Sequence, residues 1–163
     1  MSLQEAESVT ANLFLGHDPG KINNYIASLK NILIIKTSWY PEVIDGLEKS
    51  ALEYLKKVNI NKFQTIVAPG AYELPLLCSK FSKDTNVNFI VVLGCVIKGD
   101  TPHFDFICQN VISSIQDIQI NSAKAIGMGV LTTNNIQQAT KRVSKGWEAT
   151  QAALINSYVL SCY

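Results

Sequence analysis

Short apolar runs rich in β-branched residues alternate with helical patterns along this chain. That alternation restricts the fold more than any other feature. The longest run, Phe89 to Ile97, is continuously apolar rather than alternating, the pattern of a strand covered on both faces. It breaks at Gly99 and restarts with Phe104, Ile107, Val111, Ile115 and Ile118 at helical spacing. Ile32 to Ile35 is a second such run, followed by a helical pattern from Pro41 to Val58 with Val43, Leu47, Ala51, Leu55 and Val58 on one face. Phe63 to Ala68 closes at Pro69-Gly70, and a helix is predicted from Ala71 to Phe81. Ala125 to Leu131 ends in the turn cluster Thr132-Thr133-Asn134, followed by a short helix over 137–143 and a last one from Gly146 toward Val159. Four strands, each followed by helix, imply an α/β three-layer sandwich with a parallel sheet and right-handed crossovers. Ligands of such sheets bind at the carboxyl ends of the strands, so chemistry should gather in loops 36–41, 68–73, 98–103 and 132–135.

Residues 1–30 lack a sustained period and contain Gly16, Pro19 and Gly20. They read as an N-terminal tail, with a short strand or a contact arm near its end, ahead of a single domain over 31–163. A hydrophobic fraction of 47% and a charged fraction of 17% exclude a disordered chain. The net charge of +1 supplies no field for nucleic acid or an anionic membrane. Phe89–Ile97 is too short to span a bilayer, and MSLQEAESV lacks the basic-then-apolar order of a secretory signal, so a cytoplasmic location is expected. Cys78, Cys95, Cys108 and Cys162 form no C-x-x-C pair and read as small buried hydrophobes in a reducing compartment. His17 and His103 are not at ligand spacing, and no metal is expected.

The corner after Phe89–Ile97 carries the chemistry. Thr101 is predicted as the N-cap and Pro102 as the first helical residue, which leaves free amides and a positive dipole end suited to an anion. His103 stands beside them, and the same dipole favours a neutral imidazole that can act as a base. Arg142 and Lys145 lie in the segment KRVSKG, either a solvated basic turn or, for Arg142, a planar fork for a phosphate. Glu73 either complements a helix dipole or accepts hydrogen bonds from sugar-like hydroxyls. Trp39 either fills the core or stacks on a planar heterocycle.

Together, Pro69-Gly70-Ala71-Tyr72-Glu73-Leu74-Pro75, Gly94 through Asp105, Gly129-Val130-Leu131-Thr132-Thr133 and Lys145-Gly146-Trp147-Glu148-Ala149 resemble the lumazine synthase family, from about Asn31 to Leu160. The resemblance implies a flavodoxin-like fold and homopentamers with active sites between adjacent subunits, built in some members into sixty-subunit shells. It implies the penultimate step of riboflavin biosynthesis, in which 5-amino-6-(D-ribitylamino)uracil and 3,4-dihydroxy-2-butanone 4-phosphate give 6,7-dimethyl-8-ribityllumazine, phosphate and water. By matching positions, Trp39 stacks on the pyrimidine, Ala71, Tyr72 and Glu73 hold the ribityl chain, and the backbone of Cys95, Val96 and Ile97 bonds the ring edge. Asp100, Thr101 and Arg142 hold the phosphate, with Lys145 nearby. His103 transfers protons, and Met128 is the position through which a neighbouring subunit covers the ring. The scheme needs no cofactor and no metal.

The chain departs from the family pattern at three places. Ser38-Trp39-Tyr40 stands where the family usually has Arg-Phe/Trp-Asn, Asp100 fills a position often small, and the turn from Arg142 to Lys145 is short. A carboxylate beside phosphate repels it, so the Asp100 side chain is expected to turn away or to serve the helix N-terminus. The rival function is a non-catalytic flavin- or lumazine-binding or shell-forming protein of the same fold. Such a protein needs neither His103 nor Arg142.

Overall fold

The computed structural model describes residues 18–163. Its elements, in chain order, are α1 (Pro19–Ser28), β1 (Ile32–Thr37), α2 (Pro41–Lys57), β2 (Phe63–Ala68), a 3₁₀ turn (Ala71–Glu73), α3 (Leu74–Ser82), β3 (Phe89–Ile97), α4 (His103–Ser122), β4 (Ile126–Thr133), α5 (Ile136–Thr140) and α6 (Lys145–Ser161). The four strands form one sheet in the order β2-β1-β3-β4, and every pairing is parallel. This is the α/β sandwich that the alternation predicted.

Strand side chains point alternately to the two faces, and the core divides accordingly. Ile32, Ile34, Phe89, Val91 and Leu93 join Leu47, Tyr54 and Trp147 from α2 and α6. Leu33, Ile35, Ile90 and Val92 join Leu74, Cys78, Val111 and Ile115 from α3 and α4. Phe89 through Leu93 are all 0% exposed. At about 1.5–3 kcal/mol for each side chain of this size, β3 is the anchor that fixes where its own carboxyl end projects. The thiols are free, and burial pushes the Cys78 thiol up to about 12.

The short helix expected over 137–143 ends at Thr140, and the one expected from Ala71 opens with the 3₁₀ turn; three further differences have identifiable reasons. The last ten residues or so of the supposed tail form α1 instead of a strand. Asp18 caps it through the Gly20 amide at 2.7 Å, and Pro19 begins it. Its helicity draws on tertiary contact. The Tyr25 ring packs edge-on against Tyr158 at 5.5 Å, and its hydroxyl hydrogen-bonds Ser157 in α6. Residues 1–17, and with them His17 and any strand or arm there, lie outside the described residues. β4 runs through Thr132 and Thr133 instead of turning, because Thr133 pairs with Ile97 and accepts from the Lys98 amide at 2.9 Å. α4 begins one residue later than predicted. Pro102, not Thr101, holds the cap position at φ −67°, ψ 0°, and its carbonyl accepts the Asp105 amide at 3.1 Å and the Phe106 amide at 3.4 Å. No side chain caps this helix, so neither Thr101 nor Asp100 has the capping role considered for it.

Candidate active site

At the carboxyl ends of β1, β2 and β3 the chain encloses an open cleft of about 490 Å³. Trp39 and Tyr40 line it from the loop after β1, and Pro69, Gly70, Ala71, Tyr72 and Glu73 from the turn after β2. Cys95, Val96 and Ile97 form its floor, and His103 and Ile107 close it from α4. Eight of the residues picked from the sequence therefore share one surface: Trp39, Ala71, Tyr72, Glu73, Cys95, Val96, Ile97 and His103.

Local geometry explains how these side chains meet. The Ser38 hydroxyl donates to the Pro69 carbonyl at 2.7 Å, joining the loops after β1 and β2. Gly70 lies between Trp39 and Glu73. A Cβ there would stand 3.1 Å from Glu73 Oε2, close enough to press on that carboxylate, and 3.6 Å from Trp39 Nε1, an ordinary contact. Trp39 is 64% exposed, so it presents an aromatic face rather than filling the core. Tyr72, at 66%, does the same across the turn. His103 is the first residue of α4, and Ile107 follows one turn later on the same side. The first amides of α4 have no intrahelical acceptor, which leaves donors beside the imidazole. Cys95 is 4% exposed, and burial pushes its thiol up to about 11. It stays protonated near neutrality and cannot serve as a thiolate nucleophile.

The remaining candidates do not line this cleft. Asp100 and Thr101 are exposed in the loop between β3 and α4. Met128 is half-buried in β4, paired with Val92 and packed on the α3/α4 side of the sheet. Arg142 is exposed beyond α5 and donates through Nη1 to the Gln138 carbonyl at 2.8 Å. Lys145 pairs with Glu148 within α6. The loop after β4 thus contributes nothing to the cleft of its own chain.

Four lining residues escaped the list of candidates. Pro69 and Gly70 were legible as the turn ahead of Ala71-Tyr72-Glu73. Ile107 could have been found from its i+4 spacing to His103. Tyr40 had only its place beside Trp39 to mark it. Among the described residues no group of three or more His, Cys, Asp or Glu could hold a metal, and no helix is long and apolar enough to cross a membrane.

An all-parallel α/β sandwich with an open cleft at its strand ends is a flavodoxin-like protein, a class whose ligands bind at that edge of the sheet. The family model described as 6,7-dimethyl-8-ribityllumazine synthase matches residues 30–159. A protein of that name from Pseudarthrobacter chlorophenolicus is 34% identical over 149 residues, 87% of this chain and 91% of its own. Those from Arthrobacter sp. (strain FB24) and Paenarthrobacter aurescens are 32% and 34% identical, over 87% and 85% of this chain and 91% and 89% of theirs. The chain belongs to the 6,7-dimethyl-8-ribityllumazine synthase family.

Proposed function

We infer that this chain is a transferase of riboflavin biosynthesis that condenses 5-amino-6-(D-ribitylamino)uracil with 3,4-dihydroxy-2-butanone 4-phosphate in the cleft just described. The observation that carries the assignment to this cleft is the convergence of Trp39, Tyr72, Glu73 and His103 at the strand ends. Trp39 supplies a face for the pyrimidine, and the Glu73 carboxylate accepts hydrogen bonds from ribityl hydroxyls. The backbone at Cys95, Val96 and Ile97 meets the ring edge.

The substrate amine attacks the ketone and loses water to give an imine. Phosphate is then eliminated, and the ring closes with loss of a second water. Each step moves a proton near neutrality, a task for His103 worth about 10²–10⁴-fold. Holding two substrates side by side contributes more, since effective molarities on the order of 10⁵ M are reached by good alignment. The departing phosphate gathers negative charge, which the α4 amides, the loop at Asp100 and Thr101, and Arg142 stabilise, with Lys145 nearby.

We assign the chain to a homopentamer, or a multiple of one, with sites shared between neighbours. Met128 and Arg142 do not line the cleft of their own chain, which fits their reaching a neighbour's site. Leu76 in α3 and Phe106 in α4 are 72% and 61% exposed, apolar surface of the kind that subunit contacts cover. We place the enzyme in the cytoplasm. Mixing the purified chain with both substrates should produce the fluorescent lumazine. Absence of product from a folded sample would overturn the assignment, and light scattering reads the assembly.

A further inference from the structure

We propose that Tyr40 is a positioning residue that sets the direction of Trp39 across the cleft, acting with the Ser38–Pro69 hydrogen bond, and so governs affinity for the planar heteroaromatic substrate. The substrate half of this proposal rests on the reading of the cleft above. Tyr40 sits at φ 57°, ψ 63° in the left-handed region. A side chain at such angles meets a steric penalty, and the residue before a proline, here Pro41, is ordinarily pushed to extended angles. The other non-glycine residues with positive φ among those described, Asn59 and Ala123, follow α2 and α4, where left-handed residues ordinarily end helices. Tyr40 instead precedes a helix and lines the cleft.

Strain of this kind survives where the surroundings over-determine it, and it concentrates at functional sites. Here the surroundings are on both sides of the residue. The Tyr40 carbonyl accepts the Val43 amide at 2.9 Å and the Ile44 amide at 3.1 Å, and its half-buried ring packs on the core cluster that contains Val43 and Leu47. On the other side of Trp39, Ser38 is tied to Pro69. A side chain as exposed as Trp39 is not held by its own burial. Its direction comes from the two fixed residues that flank it.

The test combines steady-state kinetics with acrylamide quenching of tryptophan fluorescence. Trp147 is 7% exposed, so quenching reports mainly on Trp39. Tyr40→Ala removes the ring that holds the turn. It should raise quenching and raise KM for the pyrimidine about two- to tenfold, the range of an aromatic contact. kcat and KM for the butanone phosphate should stay within about twofold of wild type. Tyr40→Phe keeps the ring and should restore both readouts. Ser38→Ala should move them in the same direction by less, and it keeps the question answerable if Tyr40→Ala does not fold. Unchanged quenching in both alanine variants would overturn the positioning role, as would an equal rise in both KM values. If wild type makes no lumazine, the cleft assignment fails, while the quenching comparison still decides the positioning role.

Discussion

Gly146, the second residue of α6, is the point where that helix crosses α2. A Cβ at this position would stand 1.9 Å from the Leu47 carbonyl oxygen, 2.8 Å from the Leu47 carbonyl carbon and 3.2 Å from the Ala51 nitrogen. These are backbone atoms of a continuous helix, so no side chain can rotate to relieve the contact. Reaching an ordinary separation of about 3.5 Å would need a shift of about 1.5 Å between the helices. Overpacking costs about 1–3 kcal/mol and sometimes more, and rigid backbone on one side puts Gly146→Ala at about 3 kcal/mol. The same shift breaks the bond from the Trp147 amide to Ser50 Oγ, 3.1 Å long, for about 1 kcal/mol further. It also opens the edge-on contact of Tyr54 with Trp147 at 5.1 Å. A loss of about 4 kcal/mol lowers Tm by about 8–16 °C in a chain of this size. Gly99→Ala is the control, because a Cβ there meets nothing within 4 Å, and its effect should stay within about 0.5 kcal/mol. Urea unfolding of the two variants beside wild type measures both. A Gly146→Ala protein within 1 kcal/mol of wild type would refute a helix spacing fixed by that glycine.

His103→Ala should slow turnover by about 10²–10⁴-fold while Tm hardly moves, since the side chain is exposed. Wild-type turnover in that variant would remove the proton-transfer role. Arg142→Ala should raise KM for the butanone phosphate about 10-fold or more, the worth of a charge-assisted hydrogen bond, and leave the pyrimidine KM alone. An equal rise for both substrates would point to general disruption instead. The Cys78 and Cys95 thiols are held by burial at about 12 and about 11, against 9.0 for a free thiol. Above pH 9 the unfolded chain therefore binds fewer protons than the folded one. Stability present at neutral pH should fall as pH rises from 9 toward 11, by up to about 1.4 kcal/mol per pH unit for each thiol. Cys95→Ala should flatten that fall between pH 9 and 11 in urea titrations. A slope parallel to wild type would show that the thiol is not its cause.

The strands were legible because β3 and β1 are covered on both faces, which writes their burial directly into uninterrupted apolar runs. α1 was not legible. Its ten residues include none that is buried, and what secures it is a pair of partners in α6 more than a hundred residues away. The cap of α4 was misplaced by one residue because a proline can start a helix or stand just before it, and only the carbonyl contacts of Pro102 distinguish the two. Strand-end position was enough to bring Trp39, Glu73 and His103 to one cleft. Direction is another matter. Nothing in a linear string says that Arg142 turns back onto Gln138 or that Met128 faces α3 and α4. Tyr40 shows the same limit from the other side, since left-handed angles at a tyrosine have no signature in composition or period.

The pairing of Tyr25 with Ser157 and Tyr158 has a consequence for synthesis. It joins residues 132 positions apart, so the hydrogen bond between Tyr25 and Ser157 can form only once α6 has been made. At ribosomal rates of about 5–20 residues per second, that interval is on the order of ten seconds. Throughout it Tyr25 lacks its hydrogen-bond and ring partners in α6. The first and last helices among the described residues, α1 and α6, are thus joined only after both have been made.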